Sequence, residues 1–114
     1  MHEFSLAINL VEIVSEEAMK FEHGIVDSIE IEVGSLSGVV LDALQTALSS
    51  AIKGTILELA DINITEVLAT GHCQNCGHEF AAESFMSPCP LCNEFNVEMI
   101  QGKELKVKSI TFQT

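Results

Sequence analysis

The chain has 114 residues and sets seventeen Asp and Glu against five Lys and no Arg, for a net charge of −12. A surface that acidic repels phosphate backbones and anionic lipid heads, which sets nucleic acid and membranes aside as partners. With 47% hydrophobic residues the chain is globular, and its length fits one domain or a small domain carrying a smaller appendage.

Trp and Tyr are absent, so Leu, Ile, Val and Ala must fill the core, and a metal staple would help so short a chain. No secretory signal is visible, because the start is acidic and Asn9, Glu12 and Glu16 interrupt the apolar positions. The uncharged run between Asp42 and Lys53 is well short of the ~20 residues that span a bilayer. A cytoplasmic protein is expected, and in that compartment thiols stay reduced, which favours metal binding or redox chemistry for paired cysteines.

Residues 4–20 read as an amphipathic helix. Leu6, Leu10, Ile13 and Val14 recur at helical spacing, with Asn9, Glu12, Glu16 and Lys20 opposite them. His23-Gly24 supplies the stop. In IVDSIEIEVG, Ile29, Ile31 and Val33 alternate with Ser28, Glu30 and Glu32, as in a half-buried strand.

SLSGVV makes a turn in which Ser37 or Gly38 is placed to cap a second helix. That helix carries Val40, Leu44, Ala47, Leu48 and Ala51 on its core face, and Lys53-Gly54 closes it. DINITEV, with Ile62 and Ile64, is a second strand. In ELKVKSITF, Leu105 and Val107 point inward and the phase then shifts to Ile110 and Phe112, which a bulge near Ser109 would explain.

Between those strands, over 70–100, the composition changes: all four cysteines and both prolines fall here, with little helical periodicity. The expected fold class is α+β: a small mixed three-stranded sheet with two helices, plus an inserted zinc-ribbon module. The α/β domain would be discontinuous, 1–69 and 101–114, around a metal-binding module at 70–100. The strands flanking the insert are expected to be antiparallel neighbours, since connections tend not to cross. Lys106 and Lys108 would pair with Glu30 and Glu32 if the first and last strands are adjacent.

Cys73, Cys76, Cys89 and Cys92 form two C-x-x-C pairs. Each pair can turn two thiolates toward one point, and two such knuckles make the tetrahedral sulfur cage that Zn²⁺ favours. Gly77 and Asn93, just after the pairs, tolerate the left-handed backbone that a knuckle often needs. A redox dithiol would normally show a single C-x-x-C, and a catalytic zinc would need an open position that four thiolates do not leave. His72 and His78 flank the first knuckle, as supporting donors, alternative ligands or solvated side chains.

The chain opens MHE, and a second-position histidine permits a specific chelate. The α-amino nitrogen of Met1, the deprotonated amide nitrogen of His2 and its imidazole can share a plane around a metal. Nickel(II) and copper(II) accept that geometry, whereas zinc has no such preference. The first amides of a helix lack intrahelical acceptors, so metal can displace their protons at no cost to the helix. Glu3 would offset the unfavourable helix dipole.

MHE before an amphipathic helix, the text IEIEVGSLSGVVLDAL, and two C-x-x-C pairs before a closing strand together resemble the HypA/HybF family. Those proteins are nickel metallochaperones for maturation of nickel–iron hydrogenases, and the resemblance runs over essentially the whole chain. It implies Ni(II) as transient cargo at Met1, His2 and Glu3, and a structural Zn(II) held by Cys73, Cys76, Cys89 and Cys92. It implies delivery with a HypB-type GTPase to the nickel–iron hydrogenase large subunit or its maturation complex. Some relatives also serve urease maturation proteins. The expected protein is then a carrier, not an enzyme; the competing reading is an acidic zinc-ribbon adaptor that holds no transferable metal.

Overall fold

The computed structural model describes residues 2–20 and 25–113; the stop at His23-Gly24 and the residue Met1 lie outside them. The element order is α1 (His2–Lys20), β1 (Val26–Gly34), α2 (Leu41–Ala51), β2 (Asp61–Val67), β3 (Thr70–Cys73), β4 (Glu79–Ala81), β5 (Val97–Gln101) and β6 (Leu105–Phe112). Two three-stranded sheets result, one ordered β2-β1-β6 and the other β4-β3-β5. This is the α+β class with two helices and an inserted cysteine module.

In α1 the buried stripe is Ala7, Leu10, Val11, Val14 and Ala18, spaced i, i+3, i+4, i+7 and i+11. It is rotated from the expected face: Ile13 stands 49% exposed. The two alanines explain the rotation, since small side chains let the helix backbone lie close to its neighbour while the larger Ile13 stays outside. The helix packs against α2, which buries Leu44, Ala47 and Leu48.

The start of α2 also departs from expectation. Its N-cap is Val40, extended at φ −84° and ψ 114°, with no side-chain cap of its own, in place of Ser37 or Gly38. Lying outside the helical turn, Val40 is 59% exposed instead of joining the core face. The far end follows the sequence more closely, with Gly54 in the left-handed region at φ +76°. The turns after α2 bury Leu57 completely, a core residue that no periodicity announces.

β1 supplies Val26, Ile29, Ile31 and Val33 to the core. Its position between β2 and β6 corrects the expectation that the strands flanking the insert are neighbours. The physical reason lies in burial: β1 is the most buried strand, so both its edges need partners. β2 and β6 have no fully buried residue, and a half-exposed strand suits an edge. Adjacency of β1 and β6 brings Lys106 Nζ to 3.5 Å from Glu32 Oε1. The burial phase of β6 does shift, with Lys108 and Ser109 both exposed between Val107 and Ile110.

The chain divides into two compact units, one of 1–32, 39–65 and 106–114, the other of 33–38 and 66–105. Within the second, Gly34 and Leu36 donate backbone hydrogen bonds to Glu104 and Gly102, each at 2.7 Å, and Ser35 donates to Val67 at 2.8 Å. β3 is the central strand there, antiparallel to both β4 and β5. At Gly71 in its middle a Cβ would come within 2.8 Å of the Val97 side chain and 3.0 Å of the Phe80 ring, so any larger residue would push those side chains aside.

Candidate metal centre

Two loops with the same hydrogen-bond pattern build the thiol cluster. Cys73 N–H donates to the His78 carbonyl at 2.9 Å, and Gly77 N–H returns to the Cys73 carbonyl at 2.9 Å. Sixteen residues on, Cys89 N–H donates to Glu94 at 3.0 Å and Asn93 N–H returns to Cys89 at 2.8 Å. Closing so tight a loop needs a left-handed residue four places after its first cysteine. Gly77 at φ +81° and Asn93 at φ +63° supply it, at the two positions whose residue types tolerate that backbone.

The four sulfur atoms lie within 4.8 Å of one another. Cys73 Sγ is 3.6 Å from Cys92 Sγ, and Cys76 Sγ is 3.6 Å from Cys89 Sγ. A tetrahedral ion with bonds of ~2.3 Å to sulfur requires sulfur–sulfur edges of about 3.8 Å. The cluster therefore has the dimensions of a four-thiolate metal site. Cys73 and Cys89 are completely buried and Cys76 is exposed, so the site opens to solvent on one side.

The thiols are electrostatically unequal. The Cys76 N–H, 3.4 Å from Cys73 Sγ, is the main influence that brings the Cys73 pKa down from 9.0 to about 6. At Cys76 the His78 N–H pulls downward, but the facing Cys89 thiol, burial and the Cys73 and Cys92 thiols outweigh it and hold the pKa up at about 12. Four thiols this close cannot all ionise without a cation among them. A divalent ion is what the donor set fits.

Neither flanking histidine joins the sulfurs. His72 Nδ1 faces Glu79 Oε2 at 3.6 Å across the β3–β4 pair. The His78 ring stacks on Phe80, with centroids 6.1 Å apart.

At the other candidate site, His2 and Glu3 open α1. The His2 side chain is 65% exposed, and its Nδ1 lies 3.8 Å from Glu3 Oε2. That same oxygen accepts the backbone N–H of Val40 at 3.3 Å, which holds the Glu3 carboxyl below the usual 4.5, with lesser contributions from its own backbone and from His2. Glu3 and Asp42 share the lining of a groove of about 560 Å³ with Phe4, Ala43 and Thr46. The Val40 contact escaped the sequence, since a backbone group 37 residues away leaves no trace in side-chain patterning.

An α+β chain carrying a zinc-ribbon-like, four-cysteine metal site defines a class of small metal-binding proteins. Comparison with known proteins narrows it. Residues 1–112 match the family model HypA, described as hydrogenase/urease nickel incorporation, metallochaperone. The hydrogenase maturation factor HypA of Parabacteroides distasonis is 42% identical over 99% of this chain and 98% of its own. That of Prosthecochloris aestuarii is 37% identical over 99% and 100%. In fold, the chain superposes on the solution structure of the Ni metallochaperone HypA from Helicobacter pylori with a TM-score of 0.70, at 20% identity over 96% of both chains. A second solution structure of a HypA protein gives 0.75, at 22% identity over 99% and 97%. The chain belongs to the HypA family of hydrogenase-maturation nickel metallochaperones.

Proposed function

We propose that this chain takes up Ni(II) at its amino terminus and passes it on for maturation of nickel–iron hydrogenase, while a Zn(II) ion staples its cysteine module. The observation that carries the proposal is the placement of His2. It begins α1 with its imidazole in solvent and the Glu3 carboxylate beside it, in a chain whose family match runs from the first residue.

Nickel would be held in a site formed by Met1, His2 and Glu3, with the Met1 amine and the His2 amide nitrogen and imidazole as donors. Deprotonating the His2 amide costs no helical hydrogen bond, because the first N–H groups of a helix have no acceptor inside it. An exposed terminal site suits a cargo that must be given up. Protons compete for the amine, amide and imidazole, so nickel binding weakens as pH falls.

Zinc would be held by Cys73, Cys76, Cys89 and Cys92, supplying structural cross-linking between the two knuckles. Four thiolates leave no open position on the ion, which fits a carrier and not an enzyme. The nickel-holding part is the domain of 1–69 and 101–114, and the zinc module is 70–100. The proposed partners are a HypB-type GTPase and the nickel–iron hydrogenase large subunit or its maturation complex, with urease maturation proteins as a further destination, all in the cytoplasm. The charge of −12 disfavours nucleic acid and anionic membranes as partners. Among the described residues, no helix is long and apolar enough to cross a membrane.

The test is a nickel titration of zinc-loaded, tag-free protein beside His2→Ala, followed by absorption. One nickel per chain with planar-site bands, lost in the variant, is the expected result. Equal binding by both proteins, or none by either, overturns it and leaves the acidic zinc-ribbon adaptor.

A further inference from the structure

A polar contact between the starts of α1 and α2 is chemically informative in its position. Helix N-caps usually carry Ser, Thr, Asp or Asn, whose side chain accepts a backbone N–H. α2 has Val40 at its N-cap, which offers no acceptor. The N-cap's own N–H, which a glutamate of the same helix meets in a capping box, is met here from another helix: Glu3 Oε2 accepts the Val40 N–H at 3.3 Å. The negative carboxylate also lies at the positive end of the α2 dipole.

The same oxygen is 3.8 Å from His2 Nδ1, and the Glu3 side chain is only 19% exposed against 65% for His2. Glu3 is therefore half-buried between the start of one helix and the imidazole that begins the other. Chain ends fray unless something ties them down. A metal site built from the first residues would have to order them on binding, at a cost in affinity. A contact that orders the first turn beforehand removes part of that cost.

We propose that Glu3 is a positioning residue: by accepting the Val40 N–H, its carboxylate fastens the first turn of α1 to the start of α2 and presents His2 ready to bind. The presentation rests on the nickel site proposed above, whereas the tether between the helices does not. The role also separates two uses of one side chain. A tether needs only an acceptor oxygen at the right reach, which Gln supplies. A carboxylate ligand to nickel needs the charge, which Gln lacks.

The test uses full-length, zinc-loaded protein and five variants: Glu3→Gln, Glu3→Ala, Val40→Pro, the Glu3→Ala/Val40→Pro double variant and His2→Ala. Val40→Pro deletes the donor at a position whose φ of −84° is within reach of proline's range and whose side chain is exposed. Circular dichroism checks that α2 persists. Without nickel, amide exchange at Val40 is expected to quicken about fivefold or more in Glu3→Ala and to stay within about twofold in Glu3→Gln, as for loss or retention of one capping hydrogen bond.

With nickel, Glu3→Ala and Val40→Pro are each expected to bind about fivefold more weakly and to broaden the planar-site bands, with the double variant no worse than either. Glu3→Gln, which keeps an acceptor for the Val40 N–H, is expected to recover most of the affinity that Glu3→Ala loses. Unchanged Val40 exchange in Glu3→Ala overturns the tether. Nickel loss in Glu3→Gln equal to that in Glu3→Ala, with Val40→Pro like wild type, overturns the positioning role in favour of a carboxylate ligand. If His2→Ala binds nickel like wild type, the nickel site itself fails, and the exchange measurement alone decides whether the tether exists.

Discussion

The backbone N–H of Cys76 lies 3.4 Å from the Sγ of Cys73, and this contact makes one thiol of the cluster acidic while its knuckle partner resists ionisation. The opposite shifts have a signature in the zinc-free, reduced protein. Cys73 ionises at about 6 when folded, against 9.0 ordinarily. Between those values the unfolded chain binds more protons, so stability rises with pH from about 6 to 9. Cys76 works the other way: unfolded it loses its proton near 9.0, folded only at about 12, so stability falls above 9. The thermal midpoint of the zinc-stripped cysteine module should therefore peak near pH 9. Cys73→Ser should lose the rise and keep the fall. A midpoint that declines steadily from pH 6 to 9 would contradict the assignment.

Removing a ligand is expected to dismantle one unit and spare the other. Cys73 and Cys89 are fully buried and both start knuckles, so Cys73→Ser or Cys89→Ser should abolish stoichiometric zinc, read by native mass spectrometry. Both helices belong to the other compact unit, so helical circular dichroism should persist. Loss of helix and zinc together would mean that the zinc module holds up the whole chain.

How much of this was legible in the residues depends on the kind of contact. The knuckles were, because C-x-x-C spacing with Gly77 and Asn93 is local chemistry: the backbone requirement sits within a few residues of the ligand. The core strand was too, since Ile29, Ile31 and Val33 alternate cleanly. Strand order was not, because neither β2 nor β6 carries a mark saying that it pairs with β1 and not with the other. The α1 face was read one position off because Ile13 looks more like core than Ala7 or Ala18, whereas close helix packing favours the smaller side chains. The Glu3–Val40 contact joins a side chain to a backbone amide across the fold, and such a pair has no sequence signature at all.

The two left-handed positions should respond differently to substitution. Gly77 at φ +81° has open space around its missing Cβ, so replacing it incurs only backbone strain. Gly77→Val should destabilise the module by about 1–2 kcal/mol, the cost of placing a branched L-residue in that region. Zinc should then leave faster to a competing chelator. Asn93→Gly removes strain instead of adding it and should keep or slow zinc release. Equal release from both variants would show that the knuckle backbone does not govern retention.

Two adjacent residues of α1 give the sharpest check on which face of that helix is inside. Val14 is completely buried and Ile13 is 49% exposed, although sequence periodicity placed both in the core. Truncating Val14 to Ala removes buried methyl groups and leaves a void beneath the helix, which should cost about 2 kcal/mol. Ile13→Ala deletes a larger side chain, yet half of it already meets water, so its cost should stay below about 1 kcal/mol. Chemical denaturation of both zinc-loaded variants measures the difference. The ranking by side-chain size alone is the reverse, so an Ile13 variant that proves the less stable would return α1 to the face that its sequence suggested.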